Sequence, residues 1–346
     1  MKKQSSILIT GGAGYIGSVL THKLVELGYN VRVLDSLIFG KDGITDLVSS
    51  NSIDLIHADV RDERVVLKAL DGIDMVMHLA GIVGDPLCRK IPEASRQINE
   101  YATKKIVDVS KKQGVKRFIF SSTCSNYGSA LGLVAEDSPL KPLSLYAETK
   151  VNSESNVLNT KDSDFEPCVL RFATAFGLSP RMRFDLLVQE FIRDASIDNK
   201  IIVYGPEFLR PFVHVEDIAN ACIDAATKPS KLVSGEIYNV GATNQNHTKM
   251  ELAEMVQEYF PSATIEVVEA SKLRQNVGEL PDKLPADVRN FKVSFEKIKT
   301  NLEFKTTKTV HDGISEILEE MKNGRINPAE ADFSNISKRT KKIRVY

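Results

Sequence analysis

The sequence feature that most constrains the fold is a glycine-rich turn between an apolar strand and an amphipathic helix near the N-terminus. Residues 7–9 form an apolar run of strand length, and helical spacing of apolar residues begins at Tyr15. Between them, Gly11, Gly14 and Gly17 allow a sharp turn, close approach of a phosphate and tight packing of the helix on the strand. The N–H groups and the positive dipole end of such a helix favour a pyrophosphate. The pattern predicts a dinucleotide site, and a glycine-rich turn without a ligand is the competing interpretation.

A second apolar strand follows this helix and ends in an acid. Residues 30–34 form the strand, and Asp35 comes directly after it. A carboxylate about twenty residues past a glycine turn accepts hydrogen bonds from the adenosine ribose hydroxyls. Because its charge repels a 2′-phosphate, Asp35 favours NAD over NADP.

Strand and helix patterns alternate through the first half of the chain, which predicts a parallel sheet with helices on both faces. The further strands expected here are residues 53–57, 75–79, 117–121 and 167–172, and the helices are residues 63–70, 93–113 and 145–158. We therefore expect an α/β fold, a Rossmann-type doubly wound parallel sheet with a smaller, woven C-terminal substrate-binding region. Ligands of such sheets bind past the carboxyl ends of the strands.

The alternation loosens after Phe172, where a loop over residues 205–211 is expected to carry Arg210. We assign residues 1–171 and 213–240 to the NAD-binding domain, 172–212 and 241–325 to the substrate-binding region, and 326–346 to a basic tail. The tail is interpreted as solvated, with a role in oligomer contacts as the alternative.

Composition excludes several classes of function. The net charge of −1 gives no bulk attraction to nucleic acid or membrane. The four cysteines are scattered and the six histidines show no paired spacing, so we expect no disulfide framework and no metal site. No apolar run approaches the length of a membrane span, and no signal peptide is evident. These features predict a cytoplasmic protein.

A tyrosine and a lysine lie four residues apart in the predicted helix 145–158, and hence on one face. An ammonium beside a phenol favours the phenolate, so Lys150 is expected to bring Tyr146 toward the pKa of a base. Thr123 follows the predicted strand 117–121 and can donate to a developing oxyanion. The competing interpretations are a surface Tyr–Lys pair and an ordinary Ser/Thr-rich turn.

Several motifs resemble the extended short-chain dehydrogenase/reductase family, in the subgroup of nucleotide-sugar epimerases and dehydratases. They are TGGAGYIG at 10–17, HLAG at 78–81, SSTCSNYG at 121–128, YAETK at 146–150, RFATAFG at 171–177 and RPFVHVEDIA at 210–219. The resemblance covers about residues 5–320 and implies an NAD-dependent enzyme that acts on a nucleotide-diphosphate sugar.

The resemblance also implies roles for individual residues. The catalytic set would be Thr123, Tyr146 and Lys150. The cofactor-binding set would be Gly11, Gly14, Tyr15, Ile16, Gly17, Asp35, Asp59, Val60, Leu79, Ala80, Gly81, Asn99, Ser121, Tyr146 and Lys150. The substrate-binding set would be Thr123, Thr174, Arg183, Arg210 and Arg289. Thr174 stands where the family commonly has asparagine.

Departures from the family pattern discriminate between reactions. The family's 4,6-dehydratases carry an Asp–Glu pair after the catalytic threonine, where this chain has Cys124 and Ser125. Dehydration is therefore not expected, and Cys124 is interpreted as a packed thiol. The expected activity is C4 epimerisation through a 4-keto intermediate. The alternatives are an NAD(P)H-dependent reductase of a nucleotide-linked 4-keto-6-deoxy sugar and a non-catalytic NAD-binding regulatory protein.

The resemblance implies a homodimer as well. Family members often dimerise through two long helices, which here are the predicted helices 93–113 and 145–158. Two copies of this pair would form a four-helix bundle.

Overall fold

The computed structural model describes residues 5–268 and 289–330, together with Asn335 and Ile343. The strands, β1 to β14 in chain order, are Ser6–Thr10, Asn30–Asp35, Ile53–His57, Met75–His78, Arg117–Thr123, Leu133–Val134, Glu166–Phe172, Thr174–Phe176, Lys200–Tyr204, Leu209–His214, Glu236–Val240, Asn246–Thr248, Thr264–Val268 and Lys292–Val293. The α-helices, α1 to α13, are Tyr15–Glu26, Thr45–Ser49, Glu63–Ala69, Asp85–Lys90, Pro92–Arg96, Thr103–Lys112, Leu145–Leu158, Leu187–Asp198, Val215–Thr227, Ser230–Val233, Lys249–Gln257, Glu296–Leu302 and Val310–Lys322.

The central sheet has seven strands in the order β3-β2-β1-β4-β5-β7-β11, and every pair is parallel. Side chains of β1 alternate between the two faces, since Ile7 and Ile9 enter one apolar cluster and Leu8 enters the other. The strand order reverses between β1 and β4, which is where such sheets bind ligands. The predicted doubly wound fold is confirmed.

Helices cover both faces of this sheet. On one face α1 packs against α9, and on the other α6 lies between α3 and α7. Helix α7 begins at Ser144, whose side chain accepts a hydrogen bond from the Ala147 N–H and so satisfies an otherwise unpaired donor. This cap fixes the first turn of the helix that carries Tyr146 and Lys150.

Three small sheets make up the rest of the described strands. Strand β10 lies between β8 and β12, β9 pairs with β13, and β6 pairs with β14. The last pair joins residues 133–134 to the C-terminal half, so one short strand inside 1–171 contributes to the smaller region. The domain boundaries given above stay a prediction.

Two local predictions were wrong. Arg210 lies in β10 and not in a loop, because long-range pairing overrides the glycine and proline signals of residues 205–211. Pro211 ends the ladder with β12, and the ladder with β8 begins at the next residue, so its missing N–H costs little. The predicted helix 93–113 is interrupted by a π-helical turn at Gln97–Ala102.

Other predictions fall wholly or partly outside the described residues. Residues 269–288 of the predicted substrate-binding region and nearly all of the basic tail beyond residue 330 are not described. Within the residues that are described, no helix is both long enough and apolar enough to cross a membrane.

Candidate active site

A cavity of about 320 Å³ opens at the carboxyl ends of the central strands. Most of the predicted residues line it: Gly11, Gly14, Tyr15, Ile16, Gly17, Asp35, Asp59, Val60, Leu79, Ala80, Gly81, Ser121, Thr123, Tyr146, Lys150, Thr174, Arg183 and Arg289. Asn99 and Arg210 do not line it. The fold thus brings residues from positions 11 to 289 to one site.

The glycine turn leaves no room for side chains. Gly11 has φ +76°, a conformation that favours glycine, and its N–H donates to the Leu34 carbonyl at 2.9 Å. A Cβ on Gly17 would lie 2.0 Å from the Gly11 oxygen, so a side chain there would displace the turn. The turn is therefore shaped for close approach of a ligand to the backbone.

Asp35 ties the end of β2 to this turn. Its Oδ2 accepts a hydrogen bond from the Ala13 N–H at 3.0 Å, and its Oδ1 accepts one from the Leu37 N–H at 2.8 Å. Burial raises the pKa of the Asp35 carboxyl, while these two donors oppose the shift. The acid is thus held at the cavity wall in the position that the sequence predicts for a ribose contact.

Asn99 does not line the cavity but hydrogen-bonds the backbone of Ile82, which does. It lies in the π-helical turn, and its amide group both accepts from the Ile82 N–H at 2.7 Å and donates to the Ile82 carbonyl at 2.9 Å. A Cβ on Gly81 would lie 3.1 Å from the Asn99 Oδ1. Asn99 therefore positions the cavity-lining loop that follows β4.

Lys150 and Thr123 come together at the end of β5. The Lys150 ammonium is buried, donates to the Ser121 carbonyl at 2.8 Å and lies 4.8 Å from the centre of the Phe120 ring. Burial lowers the pKa of Lys150 to about 8. The Thr123 Oγ1 accepts from the Ser125 N–H at 3.1 Å, and a hydroxyl that accepts this bond still carries a proton to donate.

The direction predicted for the pKa of Tyr146 was wrong. Burial raises the pKa of this phenol, with smaller contributions in the same direction from Cys88 and Asp85. The cations that lower the pKa of Tyr146 are Arg183 and Arg289. The sequence spacing identifies a shared helix face, but it does not show that the protein withdraws the phenol from water, which disfavours the phenolate.

The pKa of Lys150 leads to a pH prediction. Because the folded-state pKa is lowered from 10.5 to about 8, the ammonium is present below pH 8 and is lost as the pH rises through that value. We expect kcat/KM to fall above about pH 8. The Lys150→Arg variant should have lower activity but no decline between pH 8 and 10, since a guanidinium stays protonated. If kcat/KM declined identically above pH 8 in the parent protein and in Lys150→Arg, the group that titrates would not be Lys150.

The predicted substrate-binding arginines are held by carboxylates. Arg183 makes two hydrogen bonds to Asp185, at 3.1 and 2.8 Å, and both side chains are buried. Arg289 lies 3.3 Å from an Asp85 oxygen and also donates to the Ser125 hydroxyl. These pairs place arginine cations at the cavity wall in fixed orientations.

Arg210 and Thr174 occupy different positions relative to the cavity. Arg210 is buried behind Phe291, with its guanidinium carbon 5.6 Å from the ring centre, and Phe291 lines the cavity. Thr174 lines the cavity at the start of β8. Direct contact of Arg210 with a substrate stays a prediction.

Cys124 lines the cavity, but its thiol is not set up as an acid or base. Its thiol is buried and donates to the Arg171 carbonyl at 3.3 Å, and burial raises its pKa. This agrees with its interpretation as a packed thiol.

The part of the chain that the structure describes holds no group of three His, Cys, Asp or Glu side chains suited to a metal ion.

Sequence reasoning missed a buried ion pair beneath the Thr123 loop. Arg171 and Glu154 lie 2.7 Å apart, and each is at most 4% exposed. Glu154 also accepts from the Ser122 hydroxyl and from the Asn126 amide, while Arg171 donates to the Tyr127 hydroxyl at 2.9 Å. The network fixes the loop that presents Thr123. The available sequence signal was Arg171 inside the apolar strand β7, since Glu154 lies in a largely polar helix.

Two described residues of the predicted solvated tail contact the rest of the protein, and one of them is buried. Asn335 is buried and lines the cavity, and Ile343 packs against the apolar cluster that contains Leu8.

Three further residues line the cavity and were not predicted: Asp85, Phe39 and Arg181. The lone Asp85 in the segment after β4 was the available signal for the first of these.

Comparisons with known proteins show which family this chain resembles in sequence. The model of the NAD dependent epimerase/dehydratase family matches residues 7–241. A UDP-glucose 4-epimerase of Bacillus subtilis (strain 168) is 27% identical over 279 residues, which cover 73% of this chain and 81% of that protein. UDP-glucuronic acid decarboxylase 1 of Arabidopsis thaliana is 27% identical over 341 residues, covering 95% of this chain and 72% of that protein.

A solved structure is similar over nearly the whole chain. The UDP-glucuronic acid 4-epimerase from Bacillus cereus, in complex with UDP-glucuronic acid and NAD, superposes with a TM-score of 0.79 at 25% identity. The match covers 92% of this chain and 99% of that one. With its glycine turn, its doubly wound sheet and a family model that spans residues 7–241, this chain belongs to the NAD dependent epimerase/dehydratase family.

Proposed function

We propose that the protein is a nucleotide-sugar epimerase that inverts C4 through a 4-keto intermediate. The observation that carries the proposal is that Thr123, Tyr146 and Lys150 line the same cavity as the glycine turn. A hydroxyl donor, a phenol and a buried ammonium beside a dinucleotide site are the groups that reversible oxidation of a secondary alcohol requires.

The cavity suits NAD. A Cβ on Gly11 would lie 2.7 Å from the Ala80 nitrogen and one on Gly17 would lie 2.0 Å from the Gly11 oxygen, so the turn is close-packed and leaves bare backbone at the cavity wall. Asp35 lines the same cavity at the end of β2. When bound, NAD would supply the hydride acceptor and a positively charged nicotinamide ring, which would favour the ionised phenol of Tyr146.

The chain's own residues handle the proton and the developing charge. The Tyr146 oxygen takes the proton of the sugar C4 hydroxyl and returns it after the sugar has turned over. The Thr123 hydroxyl donates to the same sugar oxygen as it becomes a ketone. Lys150, already directed at the Ser121 carbonyl, holds its positive charge at the end of β5 and within the same cavity.

The residues after Thr123 argue against elimination of water. The Cys124 thiol is turned away to the Arg171 carbonyl, and the Ser125 hydroxyl accepts from Arg289. Neither side chain is a carboxyl group that could exchange protons with the sugar. Relatives named as UDP-glucose and UDP-arabinose 4-epimerases favour the C4 reaction, although UDP-glucuronic acid decarboxylase 1 is similar to the same degree, at 27% identity.

The nature of the substrate is inferred from the arginines. Arg183 and Arg289 place two guanidinium groups at the wall beyond Tyr146, and a diphosphate is a ligand that guanidinium groups recognise. We therefore propose a nucleotide-diphosphate sugar as substrate. The homodimer and the cytoplasmic location stay predictions.

One experiment separates the epimerase from the alternative 4-keto-sugar reductase. The purified protein is denatured and its supernatant is assayed for NAD. Native protein is then incubated with UDP-, dTDP- or GDP-sugars without added reductant. We expect released NAD and interconversion of C4 epimers. Strict dependence on added NADH with a keto-sugar would instead establish the reductase, and binding without turnover of any sugar would indicate a regulatory protein.

A further inference from the structure

The segment between β8 and α8 crosses from the small sheets to the first turn of α1. The Tyr15 hydroxyl donates to the Gly177 carbonyl at 2.7 Å, and the Ser179 hydroxyl donates to the Tyr15 carbonyl, also at 2.7 Å. The Arg181 N–H then donates to the same Ser179 oxygen at 3.2 Å. These bonds fix the backbone of Arg181 against the helix whose N-terminus faces the cavity.

The side chain of Arg181 is held as firmly as its backbone. A Cβ on Gly43 would lie only 2.8 Å from the Arg181 Cβ, so the loop after β2 packs directly on this residue. The guanidinium carbon lies 4.7 Å from the centre of the Phe39 ring, within the range of a cation–π contact. Arg181 is 6% exposed, yet it lines the cavity together with Phe39.

The location distinguishes Arg181 from the other cavity cations. Lys150 is directed at the Ser121 carbonyl, and Arg183 and Arg289 are held by Asp185 and Asp85 on the side of Tyr146. Arg181 instead stacks on Phe39 in the loop after β2, and its positive charge lowers the pKa of Asp35 as well as that of Asp185. Its guanidinium therefore stands at the nucleotide end of the cavity, next to the glycine turn.

We propose that Arg181 is a cofactor-binding residue whose guanidinium, oriented by stacking on Phe39, contacts the diphosphate of the bound dinucleotide. Backbone N–H groups of the glycine turn supply partial charges to this diphosphate, and Arg181 adds a full positive charge. Because the residue belongs to the segment that also carries Arg183, one fixed segment would contact both the cofactor and the proposed sugar pocket. The inference rests on NAD binding at this site and not on the identity of the reaction.

The test compares ligands with and without phosphate groups. The Arg181→Gln variant, freed of co-purified NAD, is titrated calorimetrically with ADP-ribose and with adenosine. Arg193→Gln on α8, outside the cavity, is prepared in the same way as the matched control. We expect Arg181→Gln to bind ADP-ribose about 10- to 100-fold more weakly, the effect of losing a charge-assisted hydrogen bond, with adenosine affinity unchanged. The control should bind both ligands as the parent protein does.

Two further variants keep the test decisive if Arg181→Gln fails to fold. Arg181→Lys should restore part of the lost ADP-ribose affinity, and Phe39→Leu should weaken ADP-ribose binding by about 3- to 10-fold through loss of the cation–π contact. Equal losses for ADP-ribose and adenosine, or no loss, would overturn the inference. A loss confined to 2′-phosphorylated ADP-ribose would do so too, because it would place the guanidinium at the ribose. These titrations measure binding and involve no turnover of a sugar substrate, so their outcome is independent of whether the protein is a C4 epimerase.

Discussion

Replacing Tyr146 with phenylalanine is expected to reduce sugar turnover by about 10²- to 10⁴-fold while leaving NAD bound. Only the phenol hydroxyl is removed, and the ring that packs at the cavity wall is kept. The raised pKa of Tyr146 makes the ionised phenol scarce in the free protein, so its proton transfer depends on a neighbouring positive charge. The loss should therefore appear in kcat rather than in KM.

The measurement is steady-state kinetics, together with the NAD content of the purified variant. Tyr101→Phe is the matched control, since Tyr101 is 52% exposed on the surface and lies outside the cavity. The control should keep full activity. Full activity in Tyr146→Phe would remove Tyr146 as the base, whereas loss of NAD from that variant would show a binding defect instead.

Replacing Arg171 with leucine is expected to lower the free energy of unfolding by about 3–5 kcal/mol. The guanidinium is buried against Glu154, and its loss would leave that carboxylate in the interior without its counter-charge. The Ser122 and Asn126 donors would remain, but they are neutral and compensate only part of the charge. The Tyr127 hydroxyl would also lose its guanidinium donor.

Urea unfolding at pH 7 measures this effect. Arg193→Leu is the control, because Arg193 is 30% exposed and its ion pairs with Asp194 and Glu190 are partly solvated. It would also lose the hydrogen bond to the Phe184 carbonyl, so a change of about 1–2 kcal/mol is expected. In the double variant Arg171→Leu/Glu154→Leu part of the stability should return, since no buried charge is left unpaired. Equal effects of Arg171→Leu and Arg193→Leu would contradict this account of the network.

The central sheet and the glycine-turn side of the cavity were predictable from sequence. The turn at Gly11 to Gly17, the acid at Asp35 and the helix Leu145–Leu158 each depend on spacing over fewer than about thirty residues. The β10 strand was not predictable, because it is defined by partners at residues 174–176 and 246–248. Its local sequence, with glycine and two prolines nearby, has the composition of a loop.

The sequence by itself determined the parallel sheet, the position of the dinucleotide turn and the shared helix face of Tyr146 and Lys150, because local periodicity encodes each of them. The tertiary structure alone decided the environment of those groups. Burial raises the pKa of Tyr146, Arg171 meets Glu154, and Arg181 stacks on Phe39 across 142 positions of sequence. Desolvation and charge pairing act between residues that are close in space but distant in sequence. Only the folded chain therefore sets the direction of a pKa shift and the partner of a buried charge.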